Sequence, residues 1–323
     1  MDLRLTRRLL LGGVLATPAL PARAAWPDRP VRLVHGFGPG GNPDIIGRIM
    51  AARLSELLGQ SFVVEPRPGA SGIPASEMVA RSRPDGHALV ILTGGHGVSA
   101  AITARLPFDP VRDFGFVSML TEFPLMLATR PDHPAAGMAE MIALARSRSR
   151  PMFWGSGGGR STTQGLSGEL LNIMAETEIA HVPYQGVAGA HADLLAGRLD
   201  FLLETPITLL PPVQQGRMRA LAVTSLTRYP PLPDVPTMQE SGLRGYEATS
   251  WLGIAGPAGL PADVVARLNA ACAAVLAEPE PAARLRGLGN VVRHSSPEEF
   301  RGRVAADVAK WTEVVIRAQI ERG

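Results

Sequence analysis

The chain has 323 residues, 46% hydrophobic and 19% charged, enough for two domains with real cores. Its formal charge is +3, but residues 1–24 hold four arginines (Arg4, Arg7, Arg8, Arg23) and one acid (Asp2). Without them 28 basic residues face 28 acidic ones, a balance that excludes a general nucleic-acid or anionic-membrane binder.

Residues 1–24, MDLRLTRRLLLGGVLATPALPARA, carry a basic start, an apolar stretch over 9–20 and the small-x-small triplet Ala22-Arg23-Ala24. That is the signature of a cleavable export signal, and it predicts an exported protein. Gly12, Gly13, Pro18 and Pro21 disfavour a buried helix, and the stretch is short for an anchor. TRRLLL resembles a twin-arginine signal, so export in the folded and in the unfolded state both stay open.

PVRLVHG then reads as a strand. Residues 43–58 read as a helix, with apolar residues at 45, 46, 49, 50, 54, 57 and 58. SFVVEP is a second strand, SGIPASEMVARS a helix and HALVILTGG a third strand. This order implies a parallel sheet with helices on its faces. PLMLATRP is the next strand, followed by helical GMAEMIALARSRS, strand PMFWGS, helical STTQGLSGELLNIMAET, strand IAHVPYQG and helical VAGAHADLLAGR. LDFLLETP and MRALAVTS are strands; residues 262–278, 280–287 and 297–318 are helices.

Two α/β units thus share one chain, with parallel-dominated sheets expected in both. The first crossing between them falls near residues 121–125 and the return near 248–256, where TSWLGIAGP suits a strand re-entering the first unit. The expected domains are 25–123 with 251–323, and 124–250 inserted between them, with the C-terminal helices on the first. Two connecting strands make a hinge. The lone Cys272, in an alanine-rich helix without charged neighbours, reads as a buried inert thiol. The seven histidines show no metal-ligand spacing.

GFGPGGNPD, residues 36–44, puts four glycines and two prolines between the first strand and first helix. Gly36-x-Gly38-x-x-Gly41 matches a dinucleotide-binding fingerprint, and Glu65 ends the next strand as that motif requires. A secreted NAD(P)-dependent oxidoreductase is therefore one reading. Against it, Pro39 interrupts the turn. The better parse makes Asn42 the helix N-cap, Pro43 the first helical residue and Asp44 a first-turn acid. The helix then starts after the third glycine, too late to cradle a pyrophosphate. A bland linking turn is a further reading.

The second unit repeats the feature in FWGSGGGRSTTQG. Gly155, Gly157, Gly158 and Gly159 precede a helix starting near Ser161 to Thr163, without the lysine of a Walker loop or the G-x-S-x-G of a hydrolase. Two helix N-termini, one per domain, can hold one small anion between them through their unsatisfied N–H groups. Ser161, Thr162 and Thr163 can cap the helix or donate to the ligand. Strand ends facing the same cleft add Thr93, Gly94, Gly95 and His96, Tyr184 and Gln185, and Glu204 and Thr205. His96 reads as a ligand contact or a solvated loop residue, and Glu204 as a ligand acceptor or a backbone cap. Trp251 reads as core or ligand wall. These candidates contain no activated nucleophile or acid–base pair, so neither an enzyme, a cofactor nor a metal is expected.

WPDRPVRLVHGFGPGGNPDIIGRIMA, VVEPRPGASG, RPDGHAL, FDPVRDF, HVPYQG, DLLAGRLDF, RALAVTS, LPDVPTMQESG and SWLGIAGPAGLP together resemble the Bug receptors, periplasmic solute-binding proteins of tripartite tricarboxylate transporters. The resemblance spans almost the whole chain after the leader. It implies a two-domain, hinge-closing periplasmic binding fold of the type II kind. It also implies a small carboxylate as ligand and integral-membrane transporter subunits as partners, with a monomeric receptor expected; a sensory receptor that presents its ligand to a membrane kinase is the other role left open. Carried over by resemblance, the first loop contributes Phe37, Pro39, Gly40, Gly41 and Asp44. The second contributes Ser156, Gly157, Gly158, Ser161, Thr162 and Thr163, and Tyr184 and Gly186 match a cleft motif. The chain departs from the family pattern where Val34-His35-Gly36-Phe37 replaces a Val-Pro-Phe stretch, at Pro66 in EPRPG, at Gln164-Gly165 and at Glu204, where an aspartate is usual.

Overall fold

A computed structural model describes residues 26–323 apart from 148, 158, 160, 161 and 185, and apart from the side chain of Ala70. The expected export signal, Gly158, Ser161 and Gln185 therefore lie outside the described residues. The chain runs through β1 (Val31–His35), α1 (Asn42–Leu58), β2 (Phe62–Pro66), a 3-10 turn (Ala70–Gly72), α2 (Ile73–Ala80), β3 (Ala88–Thr93), α3 (Gly95–Ile102) and β4 (Phe114–Pro124). It continues with β5 (Met126–Thr129), α4 (Met138–Ser147), β6 (Phe153–Ser156), α5 (Thr163–Ala175), β7 (Ala180–Pro183), α6 (Val187–Leu195), β8 (Phe201–Glu204), α7 (Pro206–Gln214) and β9 (Arg219–Val223). β10 (Thr249–Pro257), α8 (Ala262–Ala277), α9 (Pro279–Gly287), β11 (Val291–Val292) and α10 (Pro297–Arg317) complete it.

These elements make a two-domain α/β fold. One sheet has the order β11-β4-β10-β3-β1-β2 and the other β7-β6-β8-β5-β9. Each has a parallel half, β3-β1-β2 or β7-β6-β8, and an antiparallel half formed by the strands next to the crossings. The central parallel strand β1 is buried on both faces, with Val31, Leu33 and Val34 free of solvent exposure, whereas the edge strands β2 and β7 are partly exposed.

Besides the 3-10 turn and the short β11, three longer elements escape the sequence patterns. β4 occupies FGFVSMLTEFP, where no element is expected, and it is held between β10 and β11. α3 begins at a glycine and contains Gly97, whose missing Cβ would stand 3.1 Å from Asp307 Cβ; the glycine allows α3 to lie close against α10. α7 contains Pro211 and Pro212 and forms because Pro206, Leu209 and Pro212 bury one face, so packing overrides local preference.

α8 and α9 pack on the first sheet, as expected. α10 does more. Its start, sealed by a Ser296–Glu299 capping box, packs Phe300 and Val304 beside Trp251 on the first sheet. Its end sends Trp311, Val314 and Val315, with Val98 and Ala101 of α3, into the core of the second sheet beside Leu166 and Trp154. The crossings are joined by one side chain. Thr224 Oγ1 accepts from Leu125 N at 2.7 Å and donates to Ala248 O at 2.8 Å, while Ala248 N donates to Thr224 O at 3.0 Å.

Candidate functional site

The first glycine loop leaves β1 at the carboxyl end of the parallel half. Gly36 sits against the turn after β2, and a Cβ there would lie 2.1 Å from Gly72 Cα. On that turn Ser71 adopts φ 56° and ψ 24°, a left-handed conformation uncommon for a residue with a side chain. Gly40 has φ 79°, which favours glycine. α1 starts one residue earlier than expected: Gly41, not Asn42, is the N-cap, with no side-chain cap, and Pro43 falls in the first turn.

Asp44 is tucked beneath this loop. Its Oδ2 accepts from Gly40 N at 3.0 Å and Arg48 Nε at 3.0 Å, and its Oδ1 lies 3.2 Å from Nε2 of the fully buried His35. Arg48, with Gly40 and His35, holds the carboxyl well down, at about 2. Asp44 thus anchors the loop from behind and does not line the cleft.

The second loop leaves β6 in the same way. Gly157 N donates to the buried Glu204 carboxylate, and Thr205 N donates to its other oxygen at 3.2 Å. A Cβ on Gly157 would meet Val187 N at 2.9 Å, so only glycine fits between α6 and Glu204. Burial pushes the Glu204 carboxyl up despite these amides. Thr162 is the N-cap of α5, accepting from Gly165 N at 3.1 Å, and its hydroxyl also donates to Gly159 O at 2.8 Å. The loop before α6 is tied to the same place: Tyr184 N donates to Ser156 O and Gly186 N to Gly157 O.

Between the loops lies a cavity of about 340 Å³. The first domain lines it with Phe37, Asn42, Pro43, Ser71, Thr93, Gly95, Phe123, Ser250 and Leu252. The second contributes Gly157, Thr162, Thr163, Gln164, Val187, Glu204, Thr205 and Thr208. Hydroxyls and two helix N-termini therefore face a cleft that is partly open to solvent and walled largely by apolar side chains, a setting in which hydrogen bonds to a small anion strengthen as water is excluded.

A model of the receptors of the tripartite tricarboxylate transporter family, TctC, matches residues 46–320. The chain belongs to this family. It is 34% identical, over 97% of its length and 95% of the relative's, to the UPF0065 protein in the tcbD-tcbE intergenic region of Pseudomonas sp. strain P51. It is similar in structure to R. palustris Rpa4515 with adipate, with a TM-score of 0.79, 37% identity, and 92% of this chain and 99% of that one covered. The periplasmic binding protein BugD gives a TM-score of 0.78 at 30% identity, covering 92% and 100%.

TctC receptors are periplasmic binding proteins that present solutes to transporters and are not enzymes, so the dinucleotide reading of Gly36-x-Gly38-x-x-Gly41 is set aside. In this TctC receptor Phe37, Gly157, Thr162, Thr163, Glu204 and Thr205 meet at the cavity. Pro39, Gly40 and Gly41 shape the first loop without lining it. Ser156 is buried, with Oγ 2.9 Å from His181 Nε2, and Gly186, at φ 98°, caps α6. Tyr184 turns away from the cavity and donates its hydroxyl to Asp193 at 2.6 Å. His96 is neither a ligand contact nor a solvated loop residue. Its ring is buried in α3, stacked 5.6 Å from Phe108, with Nε2 3.0 Å from Pro110 O, and burial lowers its pKa to about 4. Trp251 is core: it is fully buried, and its Nε1 donates to Asp307 at 2.6 Å.

Sequence reasoning misses Asn42, Pro43, Ser71, Phe123, Ser250, Leu252, Gln164, Val187 and Thr208 as cavity residues. For Ser71 a signal existed, since GASG follows a strand parallel to β1 and so ends on the same side of the sheet. Phe123, Ser250 and Leu252 depend on the pairing of β4 with β10, and Thr208 on the unforeseen α7, whereas Asn42, Pro43, Gln164 and Val187 lie in the first turns of helices the patterns did mark.

Proposed function

We propose that this receptor captures a small carboxylate in the cleft between its domains, closes on it and delivers it to the membrane subunits of its transporter. The observation that carries this reading is the convergence of two glycine loops, each opening a helix, on one cavity shared by both domains. The adipate bound by the similar Rpa4515 supports a carboxylate as ligand. The hydroxyls of Thr163, Ser71 and Ser250, and the first amides of α1 and α5, are the donors proposed for it; Thr162, whose hydroxyl hydrogen goes to Gly159 O, braces the second loop together with Gly157 and Glu204. The domains that move are 25–123 with 251–323, and 124–250, turning about the crossings that Thr224 joins. The receptor acts as a monomer exported by residues 1–24.

A thermal-shift screen across mono-, di- and tricarboxylates, amino acids and aromatic acids tests this, followed by calorimetry on the acids that stabilise the chain. Saturable one-to-one binding of a carboxylate without turnover is expected. Stabilisation by nicotinamide nucleotides and by no carboxylate would overturn the proposal.

A further inference from the structure

His35 stands at the end of β1 where this chain departs from its family's Val-Pro-Phe pattern, and its side chain has no solvent exposure. Phe37 N donates to His35 Nδ1 at 3.4 Å. Nδ1 must then carry the lone pair, so the ring hydrogen is on Nε2 and points at Asp44 Oδ1, 3.2 Å away. The other oxygen of Asp44 receives Gly40 N. One buried pair therefore ties down two amides of a six-residue loop, at Phe37 and Gly40, and Phe37 itself lines the cavity.

We propose that His35 is a positioning residue for the first loop, and that only its neutral, Nε2-protonated form holds that loop in the shape that receives the ligand, so that capture weakens in acid. This rests on the carboxylate-binding reading above. Protonation puts a hydrogen on Nδ1, facing the Phe37 N–H. Two donors then oppose each other in a buried place, and the loop must move. The charged groups facing the ring are Asp44 and Arg48, both from α1. On the β2 side Glu65 is engaged by Arg32 and Arg67 at the strand end. Burial holds the ring's pKa below its ordinary 6.5 in spite of Asp44, so the neutral form prevails at neutral pH.

Long-range nitrogen–proton correlation spectra of the full chain at pH 7.5 should show His35 with its hydrogen on Nε2. Between pH 7.5 and 5 the Phe37 and Gly40 amide resonances should shift with the same midpoint as the ring. Adipate affinity, measured by calorimetry over that range, should fall about tenfold further in the wild type than in His35→Asn, the equivalent of one lost hydrogen bond. Asparagine keeps an acceptor near Phe37 N and does not titrate, so the variant still carries the protonation of adipate and of groups such as Glu204, and the difference between the two proteins isolates the ring. A hydrogen on Nδ1, loop amides that ignore the ring's titration, or identical pH profiles for the two proteins would each overturn the proposal. If adipate binds neither protein at pH 7.5, the carboxylate chosen by the thermal-shift screen takes its place; if no carboxylate binds, the ligand reading fails, and the spectra alone decide the role of His35. They also decide it if the variant does not fold.

Discussion

Replacing Gly36 by alanine separates the physics of the first loop from its motif. The added Cβ would lie 2.1 Å from Gly72 Cα and 3.1 Å from Gly72 C, whereas non-bonded carbons rest near 3.5–4 Å. Both partners are backbone, so no rotamer change relieves the clash. The loop or the Ala70–Gly72 turn must move by more than about 1 Å. Overpacking of this kind costs about 1–3 kcal/mol, which lowers the melting temperature by about 2–10 °C in a chain of this size. An amide displaced by about 1 Å no longer reaches its acceptor, and losing one bond to a charged ligand weakens binding roughly ten- to hundredfold. Gly38 supplies the control: its Cβ would meet nothing within 4 Å. Melting curves and calorimetry with the carboxylate chosen by the thermal-shift screen should show Gly36→Ala impaired and Gly38→Ala close to wild type. Equal behaviour of the two variants, in either direction, would refute the close-approach argument.

Thr224→Val should strand Leu125 N without its 2.7 Å acceptor and remove the side-chain bond to Ala248 O, leaving the backbone bond from Ala248 N, at a cost of about 1–3 kcal/mol in thermal unfolding. Thr162→Ala should cost about 1 kcal/mol of stability through loss of the α5 cap; if its binding loss exceeds that of Thr163→Ala, Thr162 is a ligand contact as well. Stability should fall as pH drops from 6.5 towards 4, because the unfolded chain protonates His96 near 6.5 while the folded chain resists until about 4. The loss is about 3 kcal/mol, complete below pH 4, and denaturant melts of His96→Phe should show a shallower slope across that window. Asp44, held at about 2 against an ordinary 3.8, works in a lower window: its contribution is full above 3.8 and disappears as pH falls towards 2.

Much of the architecture was written in local patterns. Period-2 and period-3.6 runs marked nearly every strand and helix of the parallel halves, and turn chemistry marked both glycine loops as helix entrances. β4 and α7 were illegible for opposite reasons. FGFVSMLTEFP is buried along most of its length and shows no alternation, and TPITLLPPVQ contains prolines that argue against the helix it forms. At the site, Gly157 could be picked out because glycine clusters before a helix have few other uses. Its amide, however, goes to Glu204, which lies 47 residues away in sequence. His96 and Tyr184 sit at the right strand ends, but their side chains turn into α3's aromatic packing and onto Asp193.

By itself, the sequence determined the two α/β units, their order and the pair of loops that open helices, because hydrophobic period and glycine or proline placement act over neighbouring residues. Tertiary structure alone decided which glycine of the first loop has no room for a Cβ, that Asp44 faces a buried histidine and not the cleft, and that α10 serves both cores. Those outcomes depend on atoms brought together from distant parts of the chain, such as Gly36 against Gly72 and Gly97 against Asp307, and no local pattern encodes such distances.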